Sequence, residues 1–255
     1  MLAELETLVR QAAAAAVPHP GSVAKPDGSI VTGADLAVQQ FLVDALTDRW
    51  PGYPVLGEEM DEAAQRAALT RFGSGAWCID PIDGTTNFAT GFPAWAISVA
   101  LIQDGSASLG IVYDPGRDEC FTAQADAGAR LNGTLLKAQD EVCELGACVA
   151  AIDFKRLAPD LACRLASEPP YRSQRNLGSV ALDWCWLAAG RCQLYLHGGQ
   201  RLWDYAAGAL VLQEAGGAAW ALDRKELYAP MLEARPVCAA ANDATLAAWR
   251  GWLEM

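Results

Sequence analysis

The stretch Asp80-Pro81-Ile82-Asp83-Gly84-Thr85-Thr86-Asn87-Phe88 directly follows the short apolar run 76–79. Two carboxylates three residues apart leave the end of a predicted strand, and Pro81 restrains the turn between them. Gly84 permits a tight backbone path, and the two threonines can open a helix by capping it. Because a helix N-terminus presents free N–H groups and a partial positive charge, the segment indicates a phosphate site. The alternative is a plain loop that uses its aspartates as turn and cap residues.

Acidic residues at the ends of other predicted elements favour a metal site over a plain loop. The carboxylates of Asp80 and Asp83, with a backbone carbonyl between them, are hard oxygen donors that suit Mg²⁺. Further carboxylates stand at the ends of predicted elements: Asp35, Glu58, Glu59 and Asp204. If these side chains converge on one pocket, their mutual repulsion demands cations. The sequence therefore predicts a magnesium-dependent phosphate site.

The composition narrows the class of partner. A formal net charge of −12 over 255 residues disfavours binding to nucleic acid and to anionic membranes. No apolar run reaches the roughly 18 residues that a membrane-spanning helix needs. The alanine-rich segment 2–17 carries charges typical of an amphipathic helix and not of a secretory signal. We therefore expect a cytoplasmic protein whose partner is a small phosphorylated substrate, held through metal ions that reverse the local charge.

Cysteine and histidine do not form a recognisable catalytic or metal motif. The eight cysteines include no Cys-x-x-Cys pair, which predicts reduced, mostly buried thiols and no zinc site. The only histidines are His19 and His197. The Gly-x-Ser-x-Gly elbow, the Walker A loop and the dinucleotide-binding glycine fingerprint are all absent. The chemistry is therefore expected to depend on oxygen ligands.

Hydrophobic periodicity and turn residues predict a mixture of helices and strands. The predicted helices are 2–17, 35–50, 61–70, 157–166, 180–189, 203–215 and 243–253. The predicted strands are 55–57, 76–79, 94–103, 108–113, 119–124, 147–152, 193–196 and 217–222, of which 94–124 form an antiparallel meander. This mixture predicts a layered α+β fold in a single domain over 1–255, with two halves that meet near 126–146.

The motifs resemble those of the inositol monophosphatase family, whose members are magnesium-dependent, lithium-sensitive phosphatases. Residues 80–88 and 203–208 resemble its two long signatures. Val31-Thr32 with Asp35, and Gly57-Glu58-Glu59, match in order and spacing, so the resemblance covers most of the chain from about Lys25 to Gly217. It implies a layered α-β-α-β-α sandwich of the sugar phosphatase type, commonly found as a homodimer.

The resemblance also implies ligand sets for two or three Mg²⁺ ions. Glu58, Asp80 and the backbone carbonyl of Ile82 correspond to the ligands of the first ion. Asp80, Asp83 and Asp204 correspond to those of the second ion. A third ion, bound mainly by water, would contact Glu58.

A metal-activated water is the nucleophile that the resemblance implies. Thr85 and Glu58 would orient this water, and Asp35 would support the Thr85 hydroxyl. The backbone N–H groups of Gly84 and Thr85 would hold the phosphate. No covalent enzyme intermediate is then required, which suits a chain without an obvious nucleophile.

The substrate pocket is where the chain departs from the family pattern. Gly178-Ser179-Val180 resembles the segment that contacts the substrate ring, and Asp83 and Asp204 would also contact the substrate. Inositol-selective members carry a glutamate seven residues before the helix aspartate, and His197 stands there in this chain. A histidine cannot supply the two acceptor oxygens of a carboxylate. His197 is therefore either a residue that selects another substrate or a strand-end residue without substrate contact.

Two kinds of alternative to an inositol-1-phosphate-like, sugar or polyol phosphate substrate stay open. Relatives of the family hydrolyse 3′(2′),5′-bisphosphate nucleotides, fructose bisphosphate or histidinol phosphate. Lys25 and Arg201 are the cations that could meet a second phosphate of such a substrate. Some bacterial relatives are implicated in RNA-associated complexes, so a non-catalytic interaction role is the alternative from a different class.

Overall fold

The computed structural model describes residues 1–16, 21–25, 30–139, 141–223 and 225–254. Its helices are α1 (Leu2–Ala13), α2 (Gly33–Arg49), α3 (Glu62–Thr70), α4 (Thr85–Thr90), α5 (Pro159–Ser167), α6 (Val180–Ala188), α7 (Leu202–Glu214) and α8 (Asp243–Leu253). Its strands are β1 (Ser22–Ala24), β2 (Ile30–Thr32), β3 (Val55–Gly57), β4 (Ala76–Asp83), β5 (Ala96–Gln103), β6 (Ser106–Asp114), β7 (Glu119–Gln124), β8 (Ala129–Leu131), β9 (Thr134–Leu135), β10 (Val149–Asp153), β11 (Ser173–Arg175), β12 (Leu194–Gln200), β13 (Ala218–Ala221) and β14 (Arg235–Ala240).

The first large sheet contains seven strands in the order β3-β4-β5-β6-β7-β8-β9. β3 runs parallel to β4, and each later pair is antiparallel, which confirms the predicted meander. β4 is buried throughout, and β5 is buried up to its last residue. These strands read as nearly continuous apolar runs because helices cover both faces of the sheet.

The second sheet contains five strands in the order β11-β10-β12-β14-β13. β10 runs parallel to both β11 and β12, whereas β14 is antiparallel to its two neighbours. One apolar cluster joins this sheet to α5 and α8, and another joins α1 and α2 to the first sheet. The largest cluster lies between the two sheets and contains α6 and α7. The layers are therefore helices, sheet, helices, sheet, helices, which confirms the predicted α-β-α-β-α sandwich.

The central layer depends on α7, which is buried on nearly all sides. A helix that is apolar all round needs packing partners on every face. At Gly110 on β6, an added Cβ would lie 2.9 Å from the carbonyl oxygen of Ala207. At Gly208, an added Cβ would lie 2.6 Å from the Cβ of Trp184 on α6. These two glycines therefore allow α7 to pack closely against the first sheet and against α6.

The strand that carries the decisive motif is longer than predicted. The sequence predicts that it ends as Asp80 begins, but β4 continues to Asp83. Asp80 pairs with Ser98 and Asp83 with Ala96, so β4 has one extra residue between these pairs. This bulge lets two residues three apart in sequence face the same side, which regular alternation forbids. The proline in the bulge fits because it has no N–H to offer the ladder.

Strand β14 is the main element that the sequence reasoning missed. Pro236 in its second position argues against a central strand, yet β14 lies between β12 and β13. The register of β12 against β14 shifts between His197 and Gln200, next to this proline. Pro236 therefore lies at an irregular point of the ladder, while its carbonyl still accepts a hydrogen bond from Leu222 N–H at 2.9 Å.

Several smaller elements and boundaries also differ from the predictions. β1, β2, β8, β9 and β11 are short strands that the hydrophobic pattern did not indicate. The first helix ends at Ala13, and Val17, the predicted end, lies outside the described residues. The last strand of the first sheet ends at Leu135 and the first strand of the second begins at Val149. The single-domain assignment stays a prediction.

The cysteines and the helix lengths agree with two predictions from composition. All eight cysteines lie among the described residues and are free thiols, and all but Cys143 and Cys163 are buried. Within the described ranges, no helix has the length and apolar character needed to span a bilayer.

Candidate active site

A cavity of about 230 Å³ opens between the two sheets and brings together most of the predicted site residues. The residues that line it and that the sequence predicted are Glu58, Asp80, Ile82, Asp83, Gly84, Thr85, Gly178, Ser179, Val180, His197 and Asp204. Asp35 lies behind this lining, within hydrogen-bonding distance of Thr85. The twelve residues named from the sequence are therefore close neighbours in the structure.

Three of these residues form what we call the carboxylate cluster: Glu58, Asp80 and Asp204. One carboxylate oxygen from each lies within 4.8 Å of the oxygens from the other two. β3 pairs with β4 in parallel, Gly57 opposite Ile79, so Glu58 and Asp80 follow at neighbouring positions. Ser98, the partner of Asp80 across β5, donates a hydrogen bond to the carbonyl oxygen of Trp203 at 3.3 Å, which fixes the start of α7.

The carboxylate cluster is electrostatically unfavourable without cations. Burial raises the pKa of Asp80 well above its ordinary value, and the charges of Glu58, Asp83 and Asp204 raise it further. Burial and the charges of Glu58 and Asp83 likewise raise the pKa of Asp204, against hydrogen bonding and charge from Arg201. Three oxygen donors at this spacing, destabilised by one another, fit a hard divalent cation such as Mg²⁺.

Lys25 is the cation in direct contact with this cluster. Its Nζ lies 2.8 Å from Glu58 Oε1 and 2.6 Å from Glu59 Oε1. Burial and repulsion from Glu58 nevertheless outweigh Lys25 and raise the pKa of Glu59 to about 7. One lysine therefore leaves much of the negative charge in this region without a counter-ion.

Asp83 faces the same cavity but is held by the start of α6. Its Oδ2 accepts hydrogen bonds from Ser179 Oγ at 2.5 Å and from Ala181 N–H at 2.7 Å. Ser179 is the N-cap of α6, so both donors belong to the first turn of that helix. Burial raises the pKa of Asp83 to about 6, although these hydrogen bonds act in the opposite direction.

Thr85 is oriented by a chain of hydrogen bonds that begins at the N-terminus of α2. Asp35 is buried, and its Oδ2 accepts from both the N–H (2.8 Å) and the hydroxyl (2.5 Å) of Thr32. The other oxygen of Asp35 lies 3.1 Å from Thr85 Oγ1, which is also 3.0 Å from the carbonyl oxygen of Ile82. The Thr85 proton is therefore directed at these acceptors, and its oxygen remains free to accept from a group in the cavity.

Gly84 stands between β4 and α4 in a left-handed conformation, with φ at 91°. An added Cβ would lie 3.0 Å from the Ala94 carbonyl oxygen and 3.2 Å from that of Gly178. Both the conformation and the crowding therefore require glycine. Gly84 and Thr85 both line the cavity, and Gly84 does so without a side chain.

His197 lies inside β12 and not at its end, because the strand continues to Gln200. The side chain is buried, and both ring nitrogens have partners. Nδ1 accepts from Gly199 N–H at 3.1 Å, and Nε2 is 3.5 Å from Asp153 Oδ2. The His197 imidazole therefore connects Gly199 on β12 with Asp153 on β10, whatever its role toward a substrate.

The sequence reasoning missed a second group of cavity residues, which we call the entrance wall. It consists of His197, predicted from the sequence, and four residues that were not: Asp153, Lys155, Arg156 and Asn176. Asp153 directly follows a predicted apolar strand, so the rule that found Glu58 could have found it as well. Nothing in the local pattern marks the other three.

Asp183 was also missed, and it lines the cavity from within α6. Its carboxylate is buried, and Oδ1 has no hydrogen-bond partner among the described residues. Burial raises the pKa of Asp183 well above its ordinary value, with further contributions from Asp83 and Asp153. A helix pattern gives no signal for such a residue because one polar position in an apolar helix is common.

The two cations that the sequence offered for a second phosphate are already engaged. Lys25 binds Glu58 and Glu59, as described above. A guanidinium nitrogen of Arg201 donates to the carbonyl oxygen of Leu232, and the group lies 5.7 Å from the ring centroid of Trp203. Neither side chain is among those that line the cavity.

Comparison with known proteins agrees with this geometry. The model of the inositol monophosphatase family matches residues 3–251. Inositol monophosphatase 1 of Solanum lycopersicum is 36% identical over 208 residues, which are 79% of this chain and 73% of that protein. Nus factor SuhB of Pasteurella multocida is 34% identical over 198 residues, which are 76% of this chain and 72% of that protein. Among solved structures, an IMPase of Thermotoga maritima has a TM-score of 0.83 at 26% identity, covering 99% of this chain and 95% of its own.

The family match, the layered fold and the carboxylate cluster are three separate observations with one interpretation. The match extends over nearly the whole chain, and the relatives are aligned over more than two thirds of it. This chain belongs to the inositol monophosphatase family.

Proposed function

We propose that this protein is a Mg²⁺-dependent phosphomonoesterase that hydrolyses a small phosphorylated metabolite. The observation that carries the proposal is the carboxylate cluster, three oxygen donors within 4.8 Å of one another on residues that line the cavity. Phosphate esters are anions, and a site of this charge binds them only through cations. Among the described residues, the ring nitrogens of His197 contact Gly199 and Asp153 and no serine or cysteine, so the arrangement does not suggest a covalent route.

The residues that would hold magnesium are Glu58, Asp80 and Asp204, with Asp83 and the Ile82 carbonyl beside them. Bound magnesium would lower the pKa of a water molecule and neutralise charge on the phosphate and on the leaving oxygen. Asp80 is buried within a rigid strand, and the other ligands stand at strand and helix ends. The donors are therefore pre-positioned, and bound cations would relieve the repulsion that helps to raise the pKa values of Asp80 and Asp204.

Thr85 and Asp35 would orient the attacking water. The Thr85 hydroxyl donates toward Asp35 and Ile82, which leaves its oxygen as an acceptor for a proton of the water. Glu58, which directly follows β3, would accept the second proton. Asp35 is a positioning residue here, because it contacts Thr85 and not the substrate.

The phosphate would be bound by backbone N–H groups at Gly84 and Thr85, two residues that line the cavity. The water oxygen forms the new bond to phosphorus while the bond from phosphorus to the ester oxygen breaks. The ester oxygen takes up a proton, and the leaving group departs as an alcohol. Asp83, held by Ser179 and Ala181, would bind a substrate hydroxyl next to the leaving oxygen.

The substrate side of the proposal is wider than inositol 1-phosphate. Sugar and polyol phosphates fit a small polar cavity equally well, and 3′(2′),5′-bisphosphate nucleotides remain an alternative. Gly178 and Val180 line the cavity between Asp83 and the entrance wall, where a substrate ring would lie. Lithium sensitivity, a homodimer and a cytoplasmic location stay predictions.

A non-catalytic role in an RNA-associated complex is the second candidate function. The observation that favours it is the name Nus factor that several relatives bear. The net charge of −12 disfavours direct contact with nucleic acid, so such a role would depend on protein partners. A complete carboxylate cluster has no purpose in that role by itself.

Phosphate release from a panel of substrates tests the proposed function. The full chain is assayed with myo-inositol 1-phosphate, glycerol 2-phosphate, fructose 1,6-bisphosphate and 3′-phosphoadenosine 5′-phosphate, in Mg²⁺ and in excess chelator. We expect turnover of at least one substrate in Mg²⁺, complete loss in chelator, and recovery when Mg²⁺ is restored. Turnover that persists in chelator, or no turnover of any substrate, would contradict the proposal.

A further inference from the structure

Two cationic side chains at the cavity have no part in the hydrolysis described above. Lys155 and Arg156 are both exposed, and both line the cavity. Neither forms an ion pair with any residue in the part of the chain that the structure describes. In a chain with 19 basic and 31 acidic residues, two adjacent unpaired cations beside a phosphate site are unusual. They form an anion-attracting surface at the entrance.

The turn that carries these cations is held firmly against the sheet. Residues Phe154–Arg156 form a 3₁₀ turn, and the Lys155 N–H donates to Asp153 Oδ1 at 3.1 Å. At Gly198 on β12, an added Cβ would lie 1.8 Å from the carbonyl oxygen of Arg156. Only glycine permits this contact, which brings the backbone of the turn directly onto β12. The position of both cations is therefore set by packing.

The carboxylate of Asp153 does not pair with the charged ends of Lys155 and Arg156, because other hydrogen-bond donors contact its oxygens. Asp153 Oδ1 accepts from Lys155 N–H and from Asn176 Nδ2 at 3.3 Å, and Oδ2 faces His197 Nε2 at 3.5 Å. Burial alone would raise the pKa of Asp153, but hydrogen bonding and charge from His197, then the charge of Lys155, lower it. The carboxylate of Asp153 is thus satisfied by these donors, and the charged ends of Lys155 and Arg156 have no hydrogen-bond or ion-pair partner among the described residues.

We propose that Lys155 and Arg156 bind a second anionic group of the substrate, so that the preferred substrate is a phosphomonoester that also carries a phosphate or a carboxylate. This inference rests on the proposed phosphatase function, which assigns the cleaved phosphate to the carboxylate cluster. The two cations and the cluster line one cavity of about 230 Å³, so one small molecule would contact both. The cations named from the sequence, Lys25 and Arg201, do not take this role because they are engaged elsewhere.

Matched substrates test the inference, since each pair differs by one anionic group. Glycerol 2-phosphate and 2-phosphoglycerate differ by a carboxylate in place of a hydroxymethyl group. Fructose 1-phosphate and fructose 1,6-bisphosphate differ by a phosphate, so the two pairs distinguish the two kinds of anion. In Mg²⁺, we expect kcat/KM to be about tenfold higher for the more anionic member of at least one pair. The increase should come mainly from a lower KM.

Variants of Lys155 and Arg156 test whether these side chains cause the preference for the more anionic substrate. In Lys155→Gln/Arg156→Gln, the preference within the pair should fall by about tenfold, mainly through KM. The variant Lys155→Arg/Arg156→Lys keeps both charges and should retain most of the preference. Arg172→Gln is the matched control, since Arg172 is exposed and does not line the cavity, and both substrates should behave as in the wild type. Raising the salt concentration should weaken the wild-type preference and leave that of the glutamine double variant unchanged.

The outcomes separate this inference from the proposed function. If neither the two pairs nor the panel described under the proposed function gives any turnover in Mg²⁺, the phosphatase proposal itself is wrong. If the panel is turned over but neither anionic pair member is hydrolysed, the second anion position is wrong while the phosphatase proposal stands. If the substrates are hydrolysed but the wild type shows no preference, or if the glutamine double variant lowers both members equally, the second anion position is wrong while the phosphatase proposal stands. A preference that disappears in the glutamine double variant and persists in the Arg172 control supports it.

Discussion

The carboxylate cluster and the entrance wall face one cavity, but their buried carboxylates have opposite pKa shifts. In the cluster, Asp80 and Asp204 repel each other and Glu58, and burial raises their pKa values further. In the entrance wall, Asp153 is surrounded by donors and its pKa is lowered. The comparison teaches that the cluster is incomplete without cations, whereas the buried carboxylate of the wall, Asp153, is compensated by the protein alone. Substitutions in the two regions should therefore have different kinds of effect.

The largest effect is expected from Asp83→Asn. Loss of a carboxylate shared between metal and substrate should lower kcat by about 100-fold or more, because each ~1.4 kcal/mol of lost transition-state stabilisation is tenfold in rate. The fold should survive, since asparagine can still accept from Ser179 and Ala181 and no longer repels its neighbours. Steady-state kinetics and thermal denaturation measure the two effects. Asp48→Asn, at an exposed aspartate, is the control, and near-wild-type turnover of the Asp83 variant would show that the region is misassigned.

The next effect concerns the water-orienting group. Thr85→Val keeps the shape but removes the hydroxyl that contacts Asp35, and kcat should fall by about 100-fold, the lower range for a lost proton-transfer group. Thr85→Ser keeps the hydroxyl and should lose only a few fold. Rates of phosphate release at saturating substrate measure both. Equal losses in the two variants would indicate that the methyl packing of Thr85, and not its hydroxyl, is what matters.

The charge difference between the two regions predicts a pH effect on stability. In chelator, Asp83 has a folded-state pKa of about 6 against an ordinary 3.8. A raised carboxyl pKa stabilises the fold below pH ~4 and loses that contribution as the pH rises through 6, at most roughly 3 kcal/mol for this group. Asp80 and Asp204 act in the same direction.

We therefore expect the melting temperature of the metal-free protein to fall as the pH rises from about 4 to 7. Saturating Mg²⁺ should remove most of this fall, because bound cations favour the ionised carboxylates. Thermal denaturation at several pH values, with and without Mg²⁺, makes the comparison. Identical slopes in both conditions would show that the carboxylate cluster is not what titrates.

The smallest effect on catalysis is expected at His197, in the entrance wall. His197→Gln keeps an acceptor for Gly199 and a donor for Asp153, so kcat/KM should change by less than about threefold for every substrate. His197→Glu instead places a second carboxylate against Asp153, and the destabilisation should be about 1–3 kcal/mol. Urea denaturation and the substrate panel measure these effects. A large gain for myo-inositol 1-phosphate in the glutamate variant would instead make His197 the residue that decides against inositol.

Much of the carboxylate cluster could be predicted because each ligand follows a recognisable element. Asp80 and Glu58 come directly after apolar strands, and Asp204 begins an apolar helix, so local pattern and residue type were sufficient to name them. Asp35 was also named from its place at an element end, and its role in supporting Thr85 was implied by the resemblance. The entrance wall could not be predicted in this way, because Lys155, Arg156 and Asn176 lie in irregular segments without a periodic signal.

The sequence by itself determined the class of fold and the acidic residues at the ends of elements, because each follows from patterns among residues near one another in the chain. The tertiary structure decided the rest. The bulge at Asp80–Asp83 places both carboxylates on one side of β4. It does so only because β4 has one residue more than β5 between the pairs Asp80–Ser98 and Asp83–Ala96. Gly198 brings the turn of Lys155 and Arg156 onto β12 through a contact between segments some 40 residues apart in sequence. Such contacts follow from packing of distant elements, and no local pattern contains them.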